Sequence, residues 1–150
     1  MIFLGLKKRD MEIETYIPKL PELNNTQSVF LEYVNKERKN RGVDILIPEK
    51  LLTQYAVHRI LNIADKPNFS HDSDWFKIKF ELEQRGFTMV SELLSKKHNS
   101  VWSVFNNYMK SKDGHGEALM DGRYKYIGLG VVNYNHKIYS CIILTNYNII

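Results

Sequence analysis

Three residues of this 150-residue sequence stand out as candidates for proton or metal chemistry: His71, Glu92 and His115. His71 lies in "NFSHDSD", between Ser70 and Asp72, with Phe69 able to anchor the loop in a core. A neutral imidazole binds first-row metals and titrates near neutrality, so an anchored loop histidine suits a metal ligand or a proton carrier. The plain alternative is a histidine that bridges a turn. His115 stands between Gly114 and Gly116 in "SKDGHGEALM". Glycine costs conformational entropy unless backbone freedom or close approach is needed. The flanking pair therefore points to a loop that lays its imidazole against another element, or to an ordinary turn. Glu92, in "VSELL", is a carboxylate inside an apolar stretch. Strand alternation alone turns it to solvent, whereas a polar site would turn it inward.

The remaining chemistry-bearing residues are weaker candidates. His58 falls on a helical pattern, His98 in the solvated "KKHNS", and His136 at a hairpin tip. The single cysteine, Cys141, sits in the apolar run "IYSCIILT", where burial would raise its pKa and hide it from substrate. One cysteine also excludes an intrachain disulfide framework. No GxSxG, P-loop, GxGxxG or HExxH pattern occurs.

These candidates need a scaffold, and the chain has one to offer. A length of 150 residues with 43% hydrophobic and 25% charged content suits one domain, since chains of this size bury roughly 70% of their unfolded surface. The +4 formal charge comes from 21 basic and 17 acidic residues. They are scattered rather than gathered on one aromatic-interleaved element, so nucleic acid is not an expected partner. The opening "MIFLGLKKRD" places its apolar block ahead of its positive charges, the reverse of a secretory signal, and the block is too short to span a bilayer. No signal peptide or transmembrane segment is therefore expected, which leaves retention, another export route or a missing upstream part open.

Residues 1–25, with Pro18 and Pro21, read as an N-terminal arm ahead of a domain over residues 26–150. Asn25 or Thr26 can cap a first helix carrying Val29, Phe30, Tyr33 and Val34, with Gly42 as its stop. A second helix is expected from Pro48, taken as its first-turn proline, to Pro67. A third, "SDWFKIKFELEQRG", is capped by Asp72 or Ser73 and closed by Gly86. Ser100 caps a fourth, whose Val101, Val104, Phe105, Tyr108 and Met109 keep helical spacing. "FTMVSELLS" reads as a short strand, and "YKYIGLGVVN" and "KIYSCIILTNY" as a hairpin around Tyr134, Asn135 and His136. Helices first and a hairpin last predict an α+β layer fold with an antiparallel sheet.

In this order the segments resemble the CAP superfamily, the domain of cysteine-rich secretory proteins, antigen 5 and plant pathogenesis-related 1 proteins, and especially its bacterial SCP-like branch. "FLEYVNKERKNRGVDIL" is similar to the family's opening helix and turn, and "LLTQYAVHRILNIADKPNFSHDS" to the helix leading into its "FSH" loop. "RGFTMVSELL" stands where the family has "GEN", and "YMKSKDGHGEALMDGRYKYIGLGVV" where a histidine loop precedes "IGVGV". The resemblance covers roughly residues 28–147.

That resemblance implies a three-layer α-β-α sandwich with a central antiparallel sheet and a polar cleft. His71 and His115 match two histidines that hold a divalent metal such as zinc in several members, and Glu92 matches the glutamate of "GEN". The family's second glutamate has no counterpart; its place, aligned on Tyr108, falls near Ser111. Ser70, Ser111 and Tyr108 are then expected around the cleft, with Glu92 as third ligand or as orienter of a histidine. The implied function is a binding module for a metal, a small lipid or a surface ligand, at the cell envelope or outside the cell. A hydrolase in which His115 or a metal activates water and Glu92 takes the proton is the first alternative. An envelope or virion scaffold with a vestigial cleft is the second, and the Asn-, Lys-, Ile- and Tyr-rich composition hints at a bacterial or phage source.

Overall fold

The computed structural model describes residues 16–67 and 69–148. Of the expected N-terminal arm, residues 1–15 lie outside the described residues. The chain then forms α1 (Asn25–Asn40), β1 (Ile47–Pro48), α2 (Lys50–Ile63), α3 (Ser73–Gln84), β2 (Phe87–His98), α4 (Val101–Met109), α5 (His115–Leu119), β3 (Tyr126–Tyr134) and β4 (Lys137–Tyr147).

The four strands make one sheet in the order β1-β3-β4-β2. Its three long strands are antiparallel, as the terminal hairpin and the "FTMVSELLS" strand predict, while β1 adds a two-residue parallel edge to β3. That edge corrects the expected start of the second helix. Pro48 is a strand residue rather than the first turn, and the helix begins after Glu49, whose carboxylate accepts the Leu52 N–H at 2.9 Å. The Glu49 N–H meanwhile donates to Ile127 O, so this stretch is held against β3 before the helix can start. A proline with no N–H to give is tolerated at a sheet edge.

Alternation along β4 builds both layers. Ile138, Ile142 and Leu144 face one side, where Phe30 and Val34 of α1, Val104, Phe105 and Tyr108 of α4 and Leu119 of α5 cover them. Tyr139, Cys141 and Ile143 face the other, against Leu52, Ala56 and Ile60 of α2 and Trp75, Ile78 and Leu82 of α3. The result is the three-layer α-β-α sandwich. At the β3–β4 connection Asn135 and His136 both take positive φ, 50° and 64°, the two-residue turn that matches strand twist.

Helix starts follow the local capping chemistry. Ser100 and Asp72 cap α4 and α3 as expected. For α1 the cap is Asn24, one residue earlier than the sequence pattern indicates. Its side chain accepts the Gln27 N–H at 2.9 Å, and the Gln27 side chain returns the bond to the Asn24 N–H at 2.9 Å. The Gln27 amide also donates to Leu129 O at 2.7 Å, tying the helix start to β3. Asn24→Ala is expected to cost about 1 kcal/mol, read as a melting-point drop of about 2–4 °C.

Arg38, fully buried at the other end of α1, donates to the carbonyls of Asp44, Leu119, Asp121 and Tyr124 at 2.6–3.2 Å. Its guanidinium thereby closes the C-terminal end of α5, the short helix that begins with His115. Within the described residues no helix is long and apolar enough to cross a membrane.

Candidate functional site

Glu92 is the centre of the site, and its burial begins with a defect in β2. The pairing of β2 with β4 shifts register between Thr88 and Ser91, where Met89 takes φ 55°. One extra residue there resets the alternation. Phe87 and Val90 consequently share the α2–α3 side, and Glu92, two residues beyond Val90, is carried inward. Its side chain is 0% exposed. Alternation counted straight from Phe87 would turn it to the other face of the sheet, which the α1–α4 layer covers; simple alternation favours solvent only where one sheet face is left bare, and here helices cover both.

Four donors occupy the two oxygens of this carboxylate. Arg59 of α2 supplies a fork, Nε to Oε2 at 2.7 Å and Nη2 to Oε1 at 3.0 Å. His71 Nδ1 donates to Oε1 at 2.8 Å, and Cys141 Sγ to Oε2 at 3.2 Å. The acceptor capacity of a carboxylate is about four such bonds. Glu92 is therefore a buried, saturated anchor rather than a free base. Because an ionised carboxylate only accepts, the shared hydrogen lies on His71 Nδ1, and in the neutral ring the lone pair is then on Nε2. The His71 side chain is 49% exposed, so that lone pair is accessible from outside.

Arg59 is the functional residue the sequence reading missed. Its other bonds run to Asp72 Oδ1 at 2.8 Å and Ser70 O at 3.1 Å, the residues on either side of His71. Asp72 uses the same oxygen to cap α3 through Trp75 N. "VHRIL" gave no local hint, since a basic residue on an amphipathic helix is ordinarily solvated; only the unmatched buried Glu92 could have called for one.

His115 comes from the opposite helical layer, at the first position of α5. Gly114 before it has φ 87°, and a side chain on Gly116 would come within 2.9 Å of the Met109 Cα. The two glycines thus serve different ends: one makes the turn and the other lets α5 lie against the end of α4. The His115 ring meets Tyr108 edge-on, centroids 5.5 Å apart. Tyr108 is fully buried and shares a hydroxyl chain with Ser140 and Ser95, each step 2.6 Å. Burial holds the His115 imidazole below its ordinary pKa; Asp113 opposes the shift, and His71, when protonated, adds to it. Of the other expected cleft residues, Ser70 contributes its carbonyl to Arg59, and Ser111 Oγ accepts the Asp113 N–H at 3.1 Å within the loop before His115.

Cys141 is buried, and burial together with the Glu92 charge pushes its thiol pKa well up. It packs and donates, and is no thiolate nucleophile. Among the described residues no three His, Cys, Asp or Glu side chains converge as a metal cage. Glu92 stands behind His71 alone, while His115 packs against Tyr108.

Comparison with known proteins agrees with this architecture. The family model described as "CAP: Cysteine-rich secretory protein family" matches residues 31–147. No curated protein matches the chain. Among solved structures, the fold is similar to an outer surface protein from Borrelia burgdorferi, with a TM-score of 0.73, 14% identity, and coverage of 88% of this chain and 100% of that one. It is also similar to a cysteine-rich secretory protein from Staphylococcus aureus, with a TM-score of 0.67, 20% identity, and coverage of 81% and 38%. An extracellular protein containing an SCP domain from Bacillus anthracis gives 0.67, 21%, 82% and 41%. The chain thus spans all of the first protein and about two fifths of the other two. At these identities the structures speak for the fold, and the family match speaks for membership. With the motifs of the first helix, the histidine loops and the last strands all inside the matched residues, the chain belongs to the CAP family of cysteine-rich secretory proteins.

Proposed function

We propose that this chain is a binding module that holds a divalent metal such as zinc through His71 and His115, and that it does not turn over a substrate at this site. The observation that carries the reading is the 2.8 Å bond from His71 Nδ1 to a carboxylate already saturated by Arg59 and Cys141. A carboxylate behind one ring nitrogen leaves the other as a directed ligand, the arrangement found behind metal-binding histidines. His115 adds a second imidazole that its lowered pKa keeps neutral, and so able to ligate, near neutral pH. Bound metal would supply Lewis acidity to a ligand in the cleft, with water filling the positions the protein leaves open.

The hydrolase alternative needs Glu92 to take a proton from water. With four donors on its oxygens and no exposed side-chain surface, it is poorly placed to do so. The expected result of a calorimetric zinc titration is saturable binding to the wild type and a loss of at least about tenfold in a His71→Ala/His115→Ala variant. Equal binding by the two proteins would remove the metal reading. Peptide and ester libraries tested on the same pair are expected to show no difference in hydrolysis.

A companion reading is a small lipid or surface ligand. It draws on a groove of about 880 Å³ between the arm and α2, where Leu20, Pro21, Val57 and Leu61 stand among polar residues that include Glu22 and Lys50, a volume within the usual range for small-molecule sites. Saturable uptake of sterol or fatty acid by delipidated protein would support it, and its absence would leave the metal site alone. An outward location, at the envelope or beyond it, belongs to the same proposal. The similar proteins are named as an outer surface protein, a secretory protein and an extracellular protein.

A further inference from the structure

We infer that Arg59 is the positioning residue of the site: it fixes the loop on both sides of His71 and the carboxylate behind it, so that a side chain on a surface loop presents one defined nitrogen. The inference rests on the reading of His71 as a ligand. The juxtaposition is specific to this guanidinium. Nη2 reaches Ser70 O at 3.1 Å, Nη1 reaches Asp72 Oδ1 at 2.8 Å, and Nε and Nη2 grip Glu92 at 2.7 and 3.0 Å. One planar group therefore touches the residue before His71, the residue after it and the acceptor of its Nδ1 hydrogen.

A loop side chain that is half exposed ordinarily samples several rotamers and both tautomers. Here the acceptor that would choose the tautomer is itself clamped, and so are the two peptide neighbours. Arg59 is 2% exposed at its side chain, so the clamp is protected from solvent competition. Its rigid fork explains why arginine is used. A lysine at the same place is a point charge on a flexible stem and cannot span a carbonyl and two carboxylates at once.

Arg59→Lys separates positioning from charge, because it keeps the cation opposite Glu92 while removing the fork. Long-range ¹⁵N–¹H spectra of the metal-free protein at about pH 8, above the ordinary imidazole pKa, report the His71 tautomer directly. The wild type is expected to show a single Nδ1–H form, and Arg59→Lys a mixture, with zinc affinity reduced about 10–100-fold as for other groups standing behind metal ligands. A folded Arg59→Lys protein that keeps the single tautomer overturns the inference. Should the lysine variant fail to fold, the Arg59→Met/Glu92→Gln double variant, which removes both charges but keeps an oxygen that can accept from Nδ1, is expected to show the mixed tautomer; a single Nδ1–H form there overturns the inference equally. If the wild type binds no zinc but the lysine variant loses the fixed tautomer, the metal reading falls and the positioning role of Arg59 stands.

Discussion

Glu92→Leu is expected to lower stability by about 3–5 kcal/mol, and adding Arg59→Met to it is expected to restore most of that loss. The reasoning follows from burial on both sides of the pair: the Arg59 and Glu92 side chains are 2% and 0% exposed. Removing Glu92 leaves the buried guanidinium with only the partly exposed Asp72 as counter-charge, and breaking a buried pair on one side typically costs about 3–5 kcal/mol. Replacing both with apolar groups of similar volume is often neutral or stabilising, since the desolvation penalty of each ion disappears with it. Asp72 and Ser70 would still accept from Arg59 in the single variant, so part of its hydrogen bonding survives, but the two bonds into the core are lost. Urea melts of the wild type, both single variants and the double variant give the coupling energy. A coupling above about 2 kcal/mol is expected; simple additivity would show that the two charges are solvated independently. The informative case is a double variant that melts like the wild type yet binds no zinc. It would mean that the pair is kept to hold His71 in place, at no net gain in folding energy.

The candidate site was legible in the sequence as residue types but not as a network. His71 and His115 announce themselves, one by an anchored loop and the other by its flanking glycines, because those features are local. Glu92 was visible only as an anomaly: alternation points it to solvent, but helices cover both faces of the sheet, and the bulge at Met89 decides only which of the two layers it enters. A bulge leaves almost no trace in an apolar, β-branched run. Arg59 was invisible for a different reason: its partners lie 11, 13 and 33 positions away, and nothing in a helical pattern distinguishes a buried arginine from a solvated one. Arg38 repeats the case, since "NKERKNRG" looks like a polar helix end while one of its arginines closes four carbonyls. The helices, their caps and the terminal hairpin were readable because capping and turn chemistry act within a few residues. Pro48 shows the limit of that logic. Its local preference fits either a helix start or a strand edge, and the hydrogen bond from Glu49 N to Ile127 O, formed with a strand far along the chain, settles it.

Gly130→Ala should be among the most damaging single-methyl changes available to this fold, with Gly128→Ala close behind. Both glycines lie on the β3 face that meets α2. A Cβ on Gly130 would stand 2.4 Å from the Ala56 carbonyl oxygen and 2.5 Å from its carbon, with Cys141 O at 2.8 Å. On Gly128 it would stand 2.5 Å from both the Leu52 carbonyl carbon and its oxygen. Every one of the nearest neighbours except the Leu52 Cβ is backbone, so no side-chain rotation relieves the overlap. The helix must lift off the sheet, opening contacts around Leu52, Ala56 and Ile60. Overpacking in a core commonly costs about 1–3 kcal/mol, and more where rigid backbone is the obstacle. We expect about 4 kcal/mol for Gly130→Ala, a fall in melting temperature of about 8–16 °C for a domain of this length. Gly122→Ala is the control, since its nearest neighbour would be the Val43 side chain at an ordinary 3.5 Å. Loss of stability in the control but not at Gly130 would refute the close-packing account. The consequence for the site is direct, because α2 also carries Arg59. A small shift of this helix moves the fork away from Glu92 and loosens the loop around His71. On the proposed metal reading, a Gly130→Ala protein that still folds is therefore expected to bind zinc more weakly, although the substitution touches neither imidazole. Proper seating of one helix on two glycines thus serves both the core and the geometry of the cleft.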